Sequence, residues 1–157
     1  MSTLSKSVTH AVADVTKGTL LVSVEIAASP ERVFRALTQE DDVTRWWGSD
    51  DYFRTTGFHA DLWVGGTWRT EGRLAEGRSF SAEGEVLEIE PARKLVQTWK
   101  LRWDRVSTVT YLLAPTDAGT HLTVRHEGFG EDVEMCRLHC TDWEMSLDWL
   151  ARYLAPV

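Results

Sequence analysis

The sequence predicts an α+β fold, a curved antiparallel sheet of about six or seven strands wrapped round one long C-terminal helix. Three observations predict it. Residues 55 to 127 run mostly at period two with turn signals between the runs. The last 26 residues carry one continuous apolar stripe at helical spacing. Between them and the N-terminus lies one β-branched run followed by two short helix signals.

The segment TLLVSVEIAA, 19 to 28, reads as the first strand because it is rich in β-branched residues and partly alternates. Ser29-Pro30-Glu31 then starts a helix, with Ser as N-cap, Pro at the first helical position and Glu in the first turn. Val33, Phe34 and Leu37 form its apolar side. Thr38 and Asp41 fit a capping box for a second short helix, closed by Trp46 and Trp47 and ended by Gly48. Loop 49–60 follows. WVGGTWRTEGR, SFSAEGEVLEI, KLVQTWKLRW, VSTVTYLLA and GTHLTVRHE read as a meander of strands. In the final helix, Cys136, Cys140, Trp143, Leu147, Leu150 and Leu154 recur at steps of four, three, four, three and four. A helix of about 24 residues is about 36 Å long, enough to cross a sheet of about six strands.

Residues 1–18 read as a polar tail and 19–157 as one domain. The chain has 157 residues, 43% hydrophobic and 26% charged, ordinary for a globular protein with a real core. Its formal net charge of −7, with no basic run, argues against nucleic acid and against an anionic membrane face as partners. No apolar run is long enough to span a membrane. No signal pattern opens the chain, so a cytoplasmic location is expected. Cys136 and Cys140, two reduced thiols on one helical face, fit that location.

Alternation sorts side chains onto an inner face. Leu95, Gln97, Trp99 and Leu101 share one face, as do Val109, Tyr111 and Leu113, and Thr120, Leu122, Val124 and His126. Trp68 goes with Thr70, and Phe80 with Ala82, Gly84 and Val86. A sheet that curls further than side chains can fill leaves a space against the helix. The inner face brings Gln97, Tyr111 and His126 to it among tryptophans, and His139 lies one position off the helical stripe. Sparse polar groups among large aromatic walls are the usual make-up of a ligand pocket. The expected ligand-binding residues are Trp46, Trp68, Phe80, Gln97, Trp99, Tyr111, His126, His139 and Trp143.

Each also has a plainer reading. Inward histidines also serve as satisfied core groups, and tryptophans as core filler; Trp63, Trp103 and Trp149 fit filler or a partly exposed ring. Exposure of Trp103 or Trp149 would favour a homodimer. Cys136, His139 and Cys140 lack a fourth ligand at recognisable spacing, so no metal is expected, and no cofactor fingerprint is present. Asp41-Asp42 and Asp50-Asp51 read as caps or turns. Of Trp46 and Trp47, one is expected to pack the short helix onto the sheet and the other to line the cavity mouth, with Gly48 and loop 49–60 as a gate.

Seven pieces in order carry a family resemblance: ASPERVFRALT, VTRWWG, GGTWR, GEVLEIEPARKLVQTWK, STVTYLL, GTHLTVRHEGF and HCTDWEMSLDWLARYL. Across residues 19 to 155 the chain resembles the START-like helix-grip (SRPBCC) superfamily, and within it the bacterial single-domain activator-of-heat-shock-ATPase homologues. The resemblance implies a helix-grip fold with a cavity between sheet and helix. A carrier or sensor for a small apolar or aromatic molecule is the first expectation, resting on the tryptophan-rich inner faces with sparse polar groups; the resemblance does not settle activity, since the superfamily includes lipid carriers, hormone receptors and polyketide cyclases. It also leaves open a cyclase- or hydrolase-type enzyme using an inward histidine, and a stress-response co-chaperone acting through its surface on a heat-shock ATPase. One departure stands out: Asp142-Trp143 occupies a place where the family often has Gly-Trp. Asp142 would narrow the cavity or add a charge to it.

Overall fold

The computed structural model describes residues 9–101 and 106–157. The elements run β1 (Thr9–Asp14), β2 (Thr19–Ile26), α1 (Pro30–Thr38), α2 (Glu40–Trp46), β3 (Gly48–Ser49) and β4 (Phe53–Ala60). They continue through β5 (Thr67–Leu74), β6 (Ser79–Glu90), β7 (Lys94–Leu101), β8 (Ser107–Thr116), β9 (Gly119–Glu127) and α3 (Val133–Leu154). All strand pairs are antiparallel, in one curved nine-stranded sheet of order β1-β2-β9-β8-β7-β6-β5-β4-β3. Bulges between Thr55 and Gly57 and between Val86 and Glu88 shift the register. Such extra residues bend a strand and sharpen its twist, which helps the sheet curl toward α3.

The inner face is the one alternation picks out. Leu20, Val22, Val24 and Ile26 of β2 are buried beside Leu122, Val124 and His126 of β9 and Val109, Tyr111 and Leu113 of β8. Against them α3 buries Cys136, Cys140, Trp143, Leu147 and Leu150, most of the expected stripe, with Ser146 and Ala151 beside it. Asp132 caps α3 by accepting from the Met135 amide at 3.1 Å. Ser29 caps α1 as expected, accepting from the Arg32 amide at 3.2 Å.

Four expectations need correction. Part of the segment read as a tail, Thr9–Asp14, is edge strand β1, paired with β2 through Thr9↔Val24 to Asp14↔Thr19. The sheet has nine strands rather than about six or seven, because β1, β3 and β4 join it. Loop 49–60 is mostly β4, so only residues 50–52 remain a turn and there is no long gate. Gly48 is a fixed point rather than a hinge: its φ is 136°, and an added Cβ would fall on the Phe53 carbonyl oxygen. Finally, Thr38 does not cap α2. Its hydroxyl turns back to the Phe34 carbonyl at 2.7 Å, and Gln39 takes the N-cap position without a side-chain bond. Trp103 lies outside the described residues, and so does the side chain of Leu101.

Three elements are tied by one polar cluster. Asp42 of α2 accepts from Arg32 Nη2 of α1 at 2.8 Å and from the Tyr153 hydroxyl of α3 at 2.6 Å. Burial alone would raise the Asp42 carboxyl, but the hydrogen bonds from Arg32 and Tyr153 and the nearby Arg35 charge hold it below its usual value.

Candidate functional site

A cavity of about 610 Å³ opens between the β4–β6 half of the sheet and the middle of α3. Its walls are aromatic: Trp47 after α2, Phe53 of β4, Phe80 of β6, Trp99 of β7 and Trp143 of α3. The rim is formed by Asp51 and Tyr52 of the 50–52 turn and by residues 74–79 around the β5–β6 turn, largely exposed.

The paired tryptophans explain how the wall is built. Trp46 is the last residue of α2, 5% exposed, and its Nε1 donates to the Ala36 carbonyl at 2.8 Å, locking α2 onto α1. Trp47 leaves the helix with extended backbone angles, φ −87° and ψ 90°. That break swings its ring into the cavity, where Nε1 donates to Ser146 Oγ of α3 at 3.3 Å. Trp99 stands edge-on to both Trp47 and Trp143, with centroids 5.6 and 5.2 Å away.

Of the nine residues the sequence points to, Phe80, Trp99, His139 and Trp143 line the cavity. The other five form the layer behind it. Trp47, not Trp46, is the lining ring of that pair. Trp68 lies over Gly84, where an added Cβ would collide with its indole, and donates to the Thr98 carbonyl at 2.7 Å. Gln97 is buried between Val86 and Val109 in register. Tyr111 is buried edge-on against Trp143, and burial pushes its phenol well above the ordinary range.

His126 also sits behind the wall, in a closed chain of hydrogen bonds. The Trp143 indole N–H donates to His126 Nδ1 at 3.0 Å. An indole can only donate, so Nδ1 is the acceptor and the ring proton sits on Nε2. Nε2 then donates to Ser107 Oγ at 2.7 Å, and Ser107 donates to the Trp99 carbonyl at 3.1 Å. Burial, and secondarily the neighbouring His139, depresses the His126 pKa to about 3. The imidazole is neutral at physiological pH and serves to position Trp143 and Trp99.

His139 is half-buried at the cavity, its Nδ1 donating to the Met135 carbonyl at 3.0 Å. Asp142, one turn further along α3, also lines it. Asp142 itself is solvent-exposed, with protein packed around part of its carboxyl. Desolvation therefore raises its carboxyl above the usual value, with His139 pulling the other way. Cys136 and Cys140 are free and buried, and burial raises both thiols. Trp149 is half-buried against Tyr52 and Phe53, with centroids 6.0 and 5.8 Å away.

Sequence reasoning left out Phe53, which lies on the strand read as a loop, and Ser146, which lies beside the apolar stripe. The signal for Trp47 was present in the helix-ending Gly48 directly after it.

Comparison with known proteins places this architecture. Residues 27–155 match the family described as "Activator of Hsp90 ATPase homolog 1-like protein". The chain belongs to this family. Among solved structures, a protein from Chromobacterium violaceum is 27% identical, with a TM-score of 0.77 over 89% of this chain and 99% of its own. A protein from Rhodobacter sphaeroides superposes with a TM-score of 0.81 at 23% identity, covering 93% of this chain and 97% of its own. An AHSA1-like protein from Aeromonas hydrophila is 23% identical, with a TM-score of 0.72 over 86% and 90% of the two chains. The latter two likenesses concern the fold alone. No curated protein matches the sequence. No helix of the described residues is long and apolar enough to cross a membrane.

Proposed function

We propose that this family member is a carrier or sensor that binds a small apolar or aromatic molecule between the sheet and α3. The observation that carries the reading is the cavity itself: about 610 Å³, walled by Trp47, Phe53, Phe80, Trp99 and Trp143. That volume lies within the range of small-molecule sites, which are mostly apolar with a few placed polar groups. An inward-histidine enzyme has less support, because both ring nitrogens of His126 are engaged away from the cavity, which leaves His139 as the inward histidine on the lining. The test is titration with N-phenyl-1-naphthylamine, a neutral probe that brightens in apolar surroundings. Binding to the native state raises the melting temperature, so saturable fluorescence with a matching thermal shift supports the reading. A flat titration with no thermal shift, for this probe and for an aromatic amine alike, contradicts it.

A second reading, a co-chaperone contacting a heat-shock ATPase, draws on the family's description and on the exposed Trp63 and Val64, 61% and 67% accessible, between β4 and β5. An exposed apolar pair of this kind suits a partner surface. Stimulation of a purified Hsp90-type ATPase that is lost in a Trp63→Ser, Val64→Ser variant would support it, and no stimulation by the wild type would remove it.

A further inference from the structure

Resting on the ligand-binding reading, we infer that the molecule taken by this cavity carries a positively charged nitrogen that pairs with the Asp142 carboxylate. Among the described residues, three carboxylates line the cavity, Asp51, Glu76 and Asp142, against one guanidinium, Arg78. That guanidinium is already engaged, with Nε 2.9 Å from Glu76 Oε1. Asp142 has no ion pair among the described residues. Its basic neighbour in the cavity, His139, has Nδ1 held by the Met135 carbonyl and forms no ion pair with it.

The three classes of ligand therefore fare differently. Among the described residues, an anionic ligand meets Asp51 and Asp142, neither of them ion-paired, while the lining guanidinium of Arg78 already holds Glu76. A neutral apolar ligand displaces water from Asp142 and returns nothing for it, which is costly for a carboxylate. An ammonium group satisfies the carboxylate with a charge-assisted hydrogen bond. The same cavity is lined by Trp47 and Trp143, 6.4 Å apart with rings inclined by 22°, and aromatic walls are favourable surroundings for such a cation. The rest of the molecule, apolar and aromatic, fills the space bounded by Phe53 and Phe80.

The test uses three matched probes on the full chain: 9-(methylaminomethyl)anthracene, 9-ethylanthracene and 9-anthraceneacetate, cationic, neutral and anionic. Binding is read by energy transfer from tryptophan to anthracene at neutral pH. The amine is expected to bind about tenfold tighter than the neutral probe or better, with the acid weakest. In Asp142→Asn, checked for native folding by circular dichroism, the amine and neutral probes should converge to within about twofold. Asp142→Ser provides the same comparison with a smaller side chain. Equal binding of amine and neutral probes by the wild type, or an amine preference that survives both variants, overturns the charge assignment. Either result leaves the apolar-ligand reading standing. Binding of none of the three overturns both.

Discussion

His126 shows how a polar group can stiffen a ligand pocket without touching its contents. Its Nδ1 holds the Trp143 indole, and its Nε2 reaches Ser107 and, through it, the Trp99 carbonyl. Two cavity walls are thus fixed by one ring. Trp143→Phe keeps the aromatic surface but leaves Nδ1 buried without a donor, and should cost about 1–3 kcal/mol in urea unfolding. The chain also predicts a pH dependence. His126 titrates near 3 in the fold and near 6.5 when unfolded. As pH falls through 6.5 the unfolded chain gains a proton that the native state refuses. Stability is therefore whole above about 6.5 and drains as pH falls toward 3, by up to about 1.4 kcal/mol per pH unit. Urea midpoints between pH 7.5 and 4.5 measure this, and the slope should flatten in His126→Gln.

At the scale of elements, Asp42 is the tie between α1, α2 and α3. Arg32 and Tyr153 both donate to one of its oxygens, while Arg32 Nη1 is buried with no acceptor among the described residues. Asp42→Asn takes the charge from this cluster and should destabilise by about 2–3 kcal/mol, since it weakens a largely buried pair from one side. In the wild type, the carboxyl is held below its ordinary 3.8. Its contribution is present above that value and is lost as pH falls below it, overlapping the acid end of the His126 window. The elements also differ in how plainly the sequence announces them. The α3 stripe persists through five turns, so its period could be read directly, and the Ser29-Pro30-Glu31 start of α1 is as clear. β1 is short and mixes small with polar residues, THAVAD, and becomes a strand only by pairing with β2. β4, FRTTGFHA, carries a bulge at Thr55/Gly57 that breaks its alternation. A local pattern cannot anticipate a partner strand far along the chain.

At the scale of the whole molecule, alternation reveals which face a side chain takes but not how deep it lies. Trp68 and Trp99 both point inward, yet Trp68 settles over Gly84 and Trp99 reaches the cavity. Trp46 and Trp47 are neighbours in sequence and part at a helix end, where one backbone turn decides which ring meets the space. The cavity lies between the curved sheet and α3 and is lined from β4, β5, β6, β7 and α3 at once, a property of the assembled fold rather than of any segment. Asp142 is the exception: the sequence set it directly before Trp143 on the final helix, and in the structure it is a carboxylate on the cavity lining. The measurement that tests the account most directly is a native mass spectrum of the protein as purified, set against its denatured mass. The account predicts an added mass of a few hundred daltons at most that is lost on denaturation, whose fragments show an aromatic or apolar body bearing an amine. A native mass equal to that of the chain, together with no response to any of the anthracene probes, would contradict it.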